Sequence, residues 1–147
     1  MSQLVTMLDE YAQSHQNPFN QKIHKICVPA IMVSIVGLLW AIPSAYMGEH
    51  LNWGTLLVVF AMFYYFYLSR KYFLIMIPVV AVMYYINYLL AQTDYLLSVS
   101  AITFIVSWIF QFWGHKIEGK KPSFLKDLLF LLIGPLWVVK ALFKLKD

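Results

Sequence analysis

Residues 72–93 read YFLIMIPVVAVMYYINYLLAQT, a run without a single Asp, Glu, Lys or Arg. About 20 apolar positions, at roughly 1.5 Å of rise each in a helix, match a hydrocarbon core of about 30 Å. Three other stretches are equally free of these four residue types: 26–48, 50–69 and 95–114. A backbone in lipid must satisfy its own hydrogen bonds, and none of the four stretches alternates polar with apolar as a barrel strand does. The expected fold class is therefore all-α, an integral membrane bundle of four transmembrane helices. The spans are expected at about residues 26–48, 51–69, 72–92 and 95–114.

The composition of the whole chain agrees. Its 147 residues suit one domain, 1–147, and they are 61% hydrophobic and 12% charged. That charged share is about half the usual one, too little to cover the surface of a soluble domain this small. Disorder is excluded by the same numbers, and Cys27, the only cysteine, cannot form an intrachain disulfide.

The chain before and after the spans carries its own signals. The first 25 residues lack the basic start and apolar core of a secretory leader. Leu4, Met7, Leu8 and Tyr11 instead form an i, i+3, i+4, i+7 stripe, which predicts an amphipathic helix over 3–14 lying on the membrane surface. Residues 128–139 form a fifth apolar run, too short to cross and interrupted by Gly134-Pro135. They are expected to form an interfacial or re-entrant segment. With four crossings, all 11 basic residues fall on one side: Lys22, Lys25, Arg70, Lys71, Lys116, Lys120, Lys121, Lys126, Lys140, Lys144 and Lys146. By the positive-inside rule that side, with both termini, is cytoplasmic; a bacterial inner membrane and the endoplasmic reticulum both suit this topology. The aromatic clusters at 63–67 and 84–85 read as interfacial belt and helix packing.

Topology sorts the four histidines. His15 and His24 precede the first span and His115 follows the fourth, so these three share the cytoplasmic boundary. His50 follows His24 by about 26 residues, roughly 39 Å of continuous helix, and is expected in a turn on the far side. Polar residues gather around the other three. Asn17-Pro18 is a helix start, with Asn as the cap and Pro in the first turn. Asn20 and His24 then share a helical face, while Gln111 and Glu118 stand four before and three after His115. Imidazoles bind iron, copper or zinc, and neighbouring amides and carboxylates can fix their tautomer. A single interfacial histidine does no more than solvate headgroups; three on one side, each beside Asn, Gln or Glu, point to a metal site.

Other chemistries find less support. The spans hold no acid for a Ser–His–Asp constellation, and no Gly-rich phosphate loop occurs. Lys120-Lys121 fits a loop beside anionic lipid better than nucleic acid. A desaturase-type metal pair needs more histidines, and a haem would need them inside a span.

His15-x-Asn17-Pro18-x-Asn20-x-x-x-His24, together with Gln111-x-x-Gly114-His115 and the following Glu118-x-x-x-Pro122, resembles a known family. It is that of the yeast 2-hydroxy-palmitic acid dioxygenase with its bacterial and plant relatives, and the likeness runs over nearly the whole chain. Cys27 stands where the family pattern has Gly, and Ser123 where Ala is commoner. The resemblance implies an Fe(II)-dependent dioxygenase of fatty acid α-oxidation. It would take a long-chain 2-hydroxy fatty acid and O2 and release the acid one carbon shorter. The iron ligands carry over to His15, His24 and His115, and Glu118, Asn17, Asn20 and Gln111 become ligand or supporting candidates. Three imidazoles leave positions for a chelating 2-hydroxy carboxylate and for O2, and the substrate supplies the electrons, so neither 2-oxoglutarate nor NADPH is needed. Lys116, Lys120 or Lys121 could steer the carboxylate, while the alkyl tail enters from the cytoplasmic leaflet.

The alternative reading is a non-enzymatic small membrane protein that binds lipid or metal, or a transporter subunit. Spans free of Asp, Glu, Lys and Arg count against ion-coupled transport. Zinc-dependent hydrolysis ranks third.

Overall fold

In a computed structural model the chain is described over residues 2–43, 47, 51–119 and 130–146, and among these no strand occurs. The helices are α1 (Gln3–Gln13), α2 (Pro18–Trp40), α3 (Trp53–Leu68), α4 (Arg70–Ala91) and α5 (Leu96–Glu118). A 3-10 turn at Phe130–Leu132 then leads into α6, Ile133–Phe143. The all-α expectation is met. Three helices, α2, α4 and α5, are long and apolar enough to cross a membrane, whereas α3, with 16 residues, is shorter.

Three helix boundaries differ clearly from the apolar runs that suggested them. The run 26–48 predicts a helix ending near residue 48, yet α2 ends at Trp40. Pro43 explains this: a proline disfavours helical geometry at the residue before it, here Ile42, so the helix stops while the apolar run continues. The uninterrupted helix assumed between His24 and His50 therefore does not exist, and His50 lies outside the described residues. At its other end α2 begins at Pro18, eight positions before the apolar run (18 against 26), because charges and amides do not stop a helix. Likewise α5 continues past Gly114 to Glu118. Both extensions carry the polar motifs on regular helix.

The helices near the two chain ends pack on one another. The predicted stripe on α1 is real, with Leu4, Leu8 and Tyr11 buried, but protein covers it: α1 packs against α6. Gly134-Pro135 does not interrupt the last segment. It occupies the first turn of α6, where proline's missing N–H leaves no bond unmade, and every residue from Ile133 to Val139 is buried. The Lys120-Lys121 pair, Pro122, Ser123, Lys126 and Leu128 lie outside the described residues.

Packing divides the chain into two compact units, residues 1–29 with 106–147, and residues 30–105. In the second unit α3 and α4 form a hairpin through Ser69, whose hydroxyl caps α4 by accepting from Tyr72 N at 3.5 Å. Asn52 caps α3, accepting from Thr55 N at 2.9 Å. The helices here are joined by small and polar residues, as expected where lipid removes the hydrophobic drive for helices to associate. Gly37 of α2 faces Ser100 and Asn87, and a Cβ there would collide with both side-chain oxygens. Asn87 is fully buried and donates to Val33 O at 3.1 Å, tying α4 to α2. In the aromatic clusters Phe63, Phe66, Tyr67 and Tyr85 are exposed, while Tyr65 is buried in helix packing.

Candidate metal centre

The first unit holds the histidines. His24 sits on the second turn of α2 and His115 on the last turn of α5, whereas His15 lies in the short non-helical connection after α1. All three are buried, with 2%, 1% and 4% exposure for His15, His24 and His115. Ring centroids are 4.1 Å apart for His15 and His24, 5.0 Å for His24 and His115, and 5.5 Å for His15 and His115. One nitrogen from each ring lies within 4.8 Å of the other two.

Hydrogen bonds fix the tautomer of two of the rings. His15 Nδ1 is 2.7 Å from Tyr11 O, and His24 Nδ1 is 3.0 Å from Asn20 O. A carbonyl oxygen only accepts, so each Nδ1 carries the proton and donates it, leaving Nε2 with its lone pair. Donation of the second ring N–H to a backbone carbonyl is the usual arrangement around metal-bound histidine. Three buried imidazoles with two tautomers set this way fit a transition-metal ion. Metal–nitrogen bonds are about 2.1 Å, which sets donors roughly 3–4 Å apart, so side-chain adjustment alone would close these rings on one ion.

The amides and the acid named from sequence gather at the same place. Asn17 caps α2, its Oδ1 accepting from Phe19 N at 2.9 Å and Asn20 N at 3.3 Å. Asn20, with 0% exposure, donates through Nδ2 to Glu118 at 3.0 Å. The Glu118 carboxylate also accepts from Gln16 N at 2.9 Å and from Asn17 N at 2.9 Å. Gln111 is buried within hydrogen-bonding reach of the His24 ring. Asn17 and Glu118 thus have their acceptor atoms engaged by N–H groups of the chain, while Gln111 is the amide directly beside an imidazole.

Four further residues contribute, to which the sequence assigns no role at the site. Tyr11 stacks on His15 with centroids 4.2 Å apart and planes 8° from parallel, and Trp137 of α6 stands 5.5 Å from the same ring. Gln21 Nε2 donates to His15 O at 2.8 Å. Gly114 leaves the space into which the Asn20 side-chain oxygen fits; a Cβ there would collide with it. For Tyr11 a signal existed, its place four residues before His15 on a helix. For Trp137 none did, because only tertiary folding returns α6 to α1.

A family model described as 2-hydroxy-palmitic acid dioxygenase Mpo1-like matches residues 1–145. No curated protein and no solved structure matches the chain.

Proposed function

The chain belongs to the Mpo1-like family, and from that premise we propose that it is an Fe(II)-dependent dioxygenase of long-chain 2-hydroxy fatty acids. The observation that carries this reading is the convergence of His15, His24 and His115, all buried, with nitrogens within 4.8 Å of one another. The overall conversion is RCH(OH)COOH + O2 → RCOOH + CO2 + H2O. It balances with every electron for O2 drawn from the substrate, so no reducing co-substrate is required. Fe(II), when bound, would supply Lewis acidity toward the hydroxy acid and redox chemistry toward O2.

The chain's own residues do the rest. His15 and His24 present Nε2 because their Nδ1 protons are held by Tyr11 O and Asn20 O. Gln111 stands beside the His24 ring, and Asn17, Asn20 and Glu118 hold the helix ends and the connection together. Tyr11 and Trp137 wall off His15 from water, which strengthens every polar interaction inside.

Topology supports entry of substrate from the cytoplasmic leaflet. His24 stands near the start of α2 and His115 near the end of α5, so these helices run in opposite directions at the site. A chain that leaves through α2 and returns through α5 must cross an even number of times. With α2, α4 and α5 spanning, α3 supplies the fourth crossing despite its 16 residues. A helix that short, about 24 Å, is accommodated by local thinning and flanking side chains. The basic residues then share one, cytoplasmic, side with the site.

The test is anaerobic purification in detergent followed by elemental analysis, then addition of O2 with 2-hydroxypalmitate. Stoichiometric iron, O2 uptake and appearance of the acid one carbon shorter are expected. His15→Ala, His24→Ala and His115→Ala should each lose iron and turnover, while His50→Ala keeps both. Protein free of iron, zinc and copper would favour the lipid-binding alternative.

A further inference from the structure

We propose that Glu118 is a positioning residue, a clasp that sets where His15 stands, and not a metal ligand. The proposal rests on the three-histidine reading above and deepens it.

The three histidines are not held alike. His24 and His115 ride on α2 and α5, so continuous helical hydrogen bonding fixes their places. His15 lies between helices, since α1 ends at Gln13 and α2 begins at Pro18; its N–H donates to Ala12 O at 3.0 Å, which fastens it to the end of α1 and not to α2 or α5. Its bond to Tyr11 O orients the ring relative to α1 but does not attach it to the helices that carry the other two.

Glu118 makes that attachment. It lies one turn beyond His115 on α5, and its carboxylate reaches the two peptide N–H groups that immediately follow His15. Oε1 accepts from Gln16 N at 2.9 Å and from Asn17 N at 3.1 Å, and Oε2 accepts from Asn17 N at 2.9 Å. The same Oε2 accepts from Asn20 Nδ2 at 3.0 Å. An ionised carboxylate offers about four lone-pair sites, and these contacts use them. Hydrogen bonds to a charged acceptor are roughly twice as strong as neutral ones, which suits a group that must hold backbone in place. A second fastening acts on the same residue, since Gln21 Nε2 donates to His15 O at 2.8 Å. His24 does not depend on the clasp: its partner is the Asn20 backbone carbonyl, which the helix holds whatever the Asn20 side chain does. Loss of Glu118 should therefore be felt at the metal through His15 alone.

The experiment uses full-length protein, purified in detergent, stripped with chelator and titrated with Co(II), whose visible absorption reports its ligand set. His15→Ala, which removes a ligand outright, sets the scale and should lose at least about 10- to 100-fold in affinity, the loss usual when a group that merely supports a ligand is removed. Glu118→Ala should lose a similar factor and give the His15→Ala spectrum. Combined with His15→Ala, it should weaken binding no further, because the residue it positions is already gone. Glu118→Gln fills the same space but turns an amide N–H toward a donor, so it should also lose affinity; this ties the effect to the carboxylate and not to a cavity. Gln21→Ala should weaken Co(II) binding in the wild type and be silent beside His15→Ala. Wild-type affinity and spectrum in Glu118→Ala and Glu118→Gln would overturn the clasp. So would a double variant weaker than His15→Ala by a further such factor, since Glu118 would then be a ligand itself. Failure of the wild type to bind Co(II) would instead remove the metal-site reading beneath it.

Discussion

Gly114 shows how narrow the tolerances are around a single residue of the site. Its missing side chain is what allows the fully buried Asn20 amide to lie against α5 with Nδ2 on Glu118 and its oxygen against Gly114. A methyl group there meets the side-chain oxygen directly, so Asn20 must rotate and give up Glu118. Gly114→Ala should lower unfolding stability by about 1–3 kcal/mol, the usual cost of overpacking, and weaken metal binding with it. Denaturation in detergent and a metal titration check the two halves of that expectation. The motif Gln111-x-x-Gly114-His115 was readable in the sequence, but the need for glycine was not, because the atom it accommodates comes from a segment far away in the chain.

Helix ends, more than helix middles, organise the elements. Asn17-Pro18 reads as the start of α2 from sequence alone, and the structure has Asn17 accepting from Phe19 N and Asn20 N where that reading expects them. Asn17→Ala should cost about 1 kcal/mol, the ordinary price of a lost cap, whereas Asn17→Ser should be nearly neutral. The two variants, compared by midpoint of denaturation, separate a cap from a metal ligand, since serine restores only the first. At the far end of the same helix Pro43 marks the stop, although the apolar run continues to residue 48. Apolar length reports what lipid tolerates, while helix length is set by where backbone hydrogen bonding must stop. Gly134-Pro135 carries the complementary lesson, since the same dipeptide that breaks a helix in its middle is at home in its first turn.

For the whole molecule, metal and topology make the predictions. Three donors that assemble only in the folded chain mean that a bound ion stabilises the fold. At free metal about 100 times its dissociation constant, that linkage contributes about 2.7 kcal/mol. Thermal unfolding should therefore shift upward on adding metal and return on chelation, and His24→Ala should show neither change. The four crossings proposed above would place the N-terminus and the C-terminus on one side. The packing of α1 against α6 within one unit supports this, because the two terminal helices then share a side. Reporter fusions at residues 2 and 146 should both read cytoplasmic, and a fusion in the 92–95 connection should read the opposite side. Opposite readings at the two termini would require an odd number of crossings and would exclude α3 as a span.

The sequence alone determined the helical class, the apolar helices long enough to cross a membrane and the three histidines as one candidate site. These follow from local quantities: apolar run length, the distribution of basic residues, and the spacing of polar side chains along a helix. Tertiary structure decided what those elements press against. The stripe Leu4, Leu8 and Tyr11 has the period of a buried face whether lipid or protein covers it, and only the fold shows α6 there. Trp137 beside His15, Gly114 beside Asn20 and the Glu118 carboxylate on Gln16 and Asn17 are likewise meetings between distant segments. Periodicity states which way a side chain faces along its own helix. Which atoms it meets depends on how the chain returns, and that is settled by packing across the whole fold.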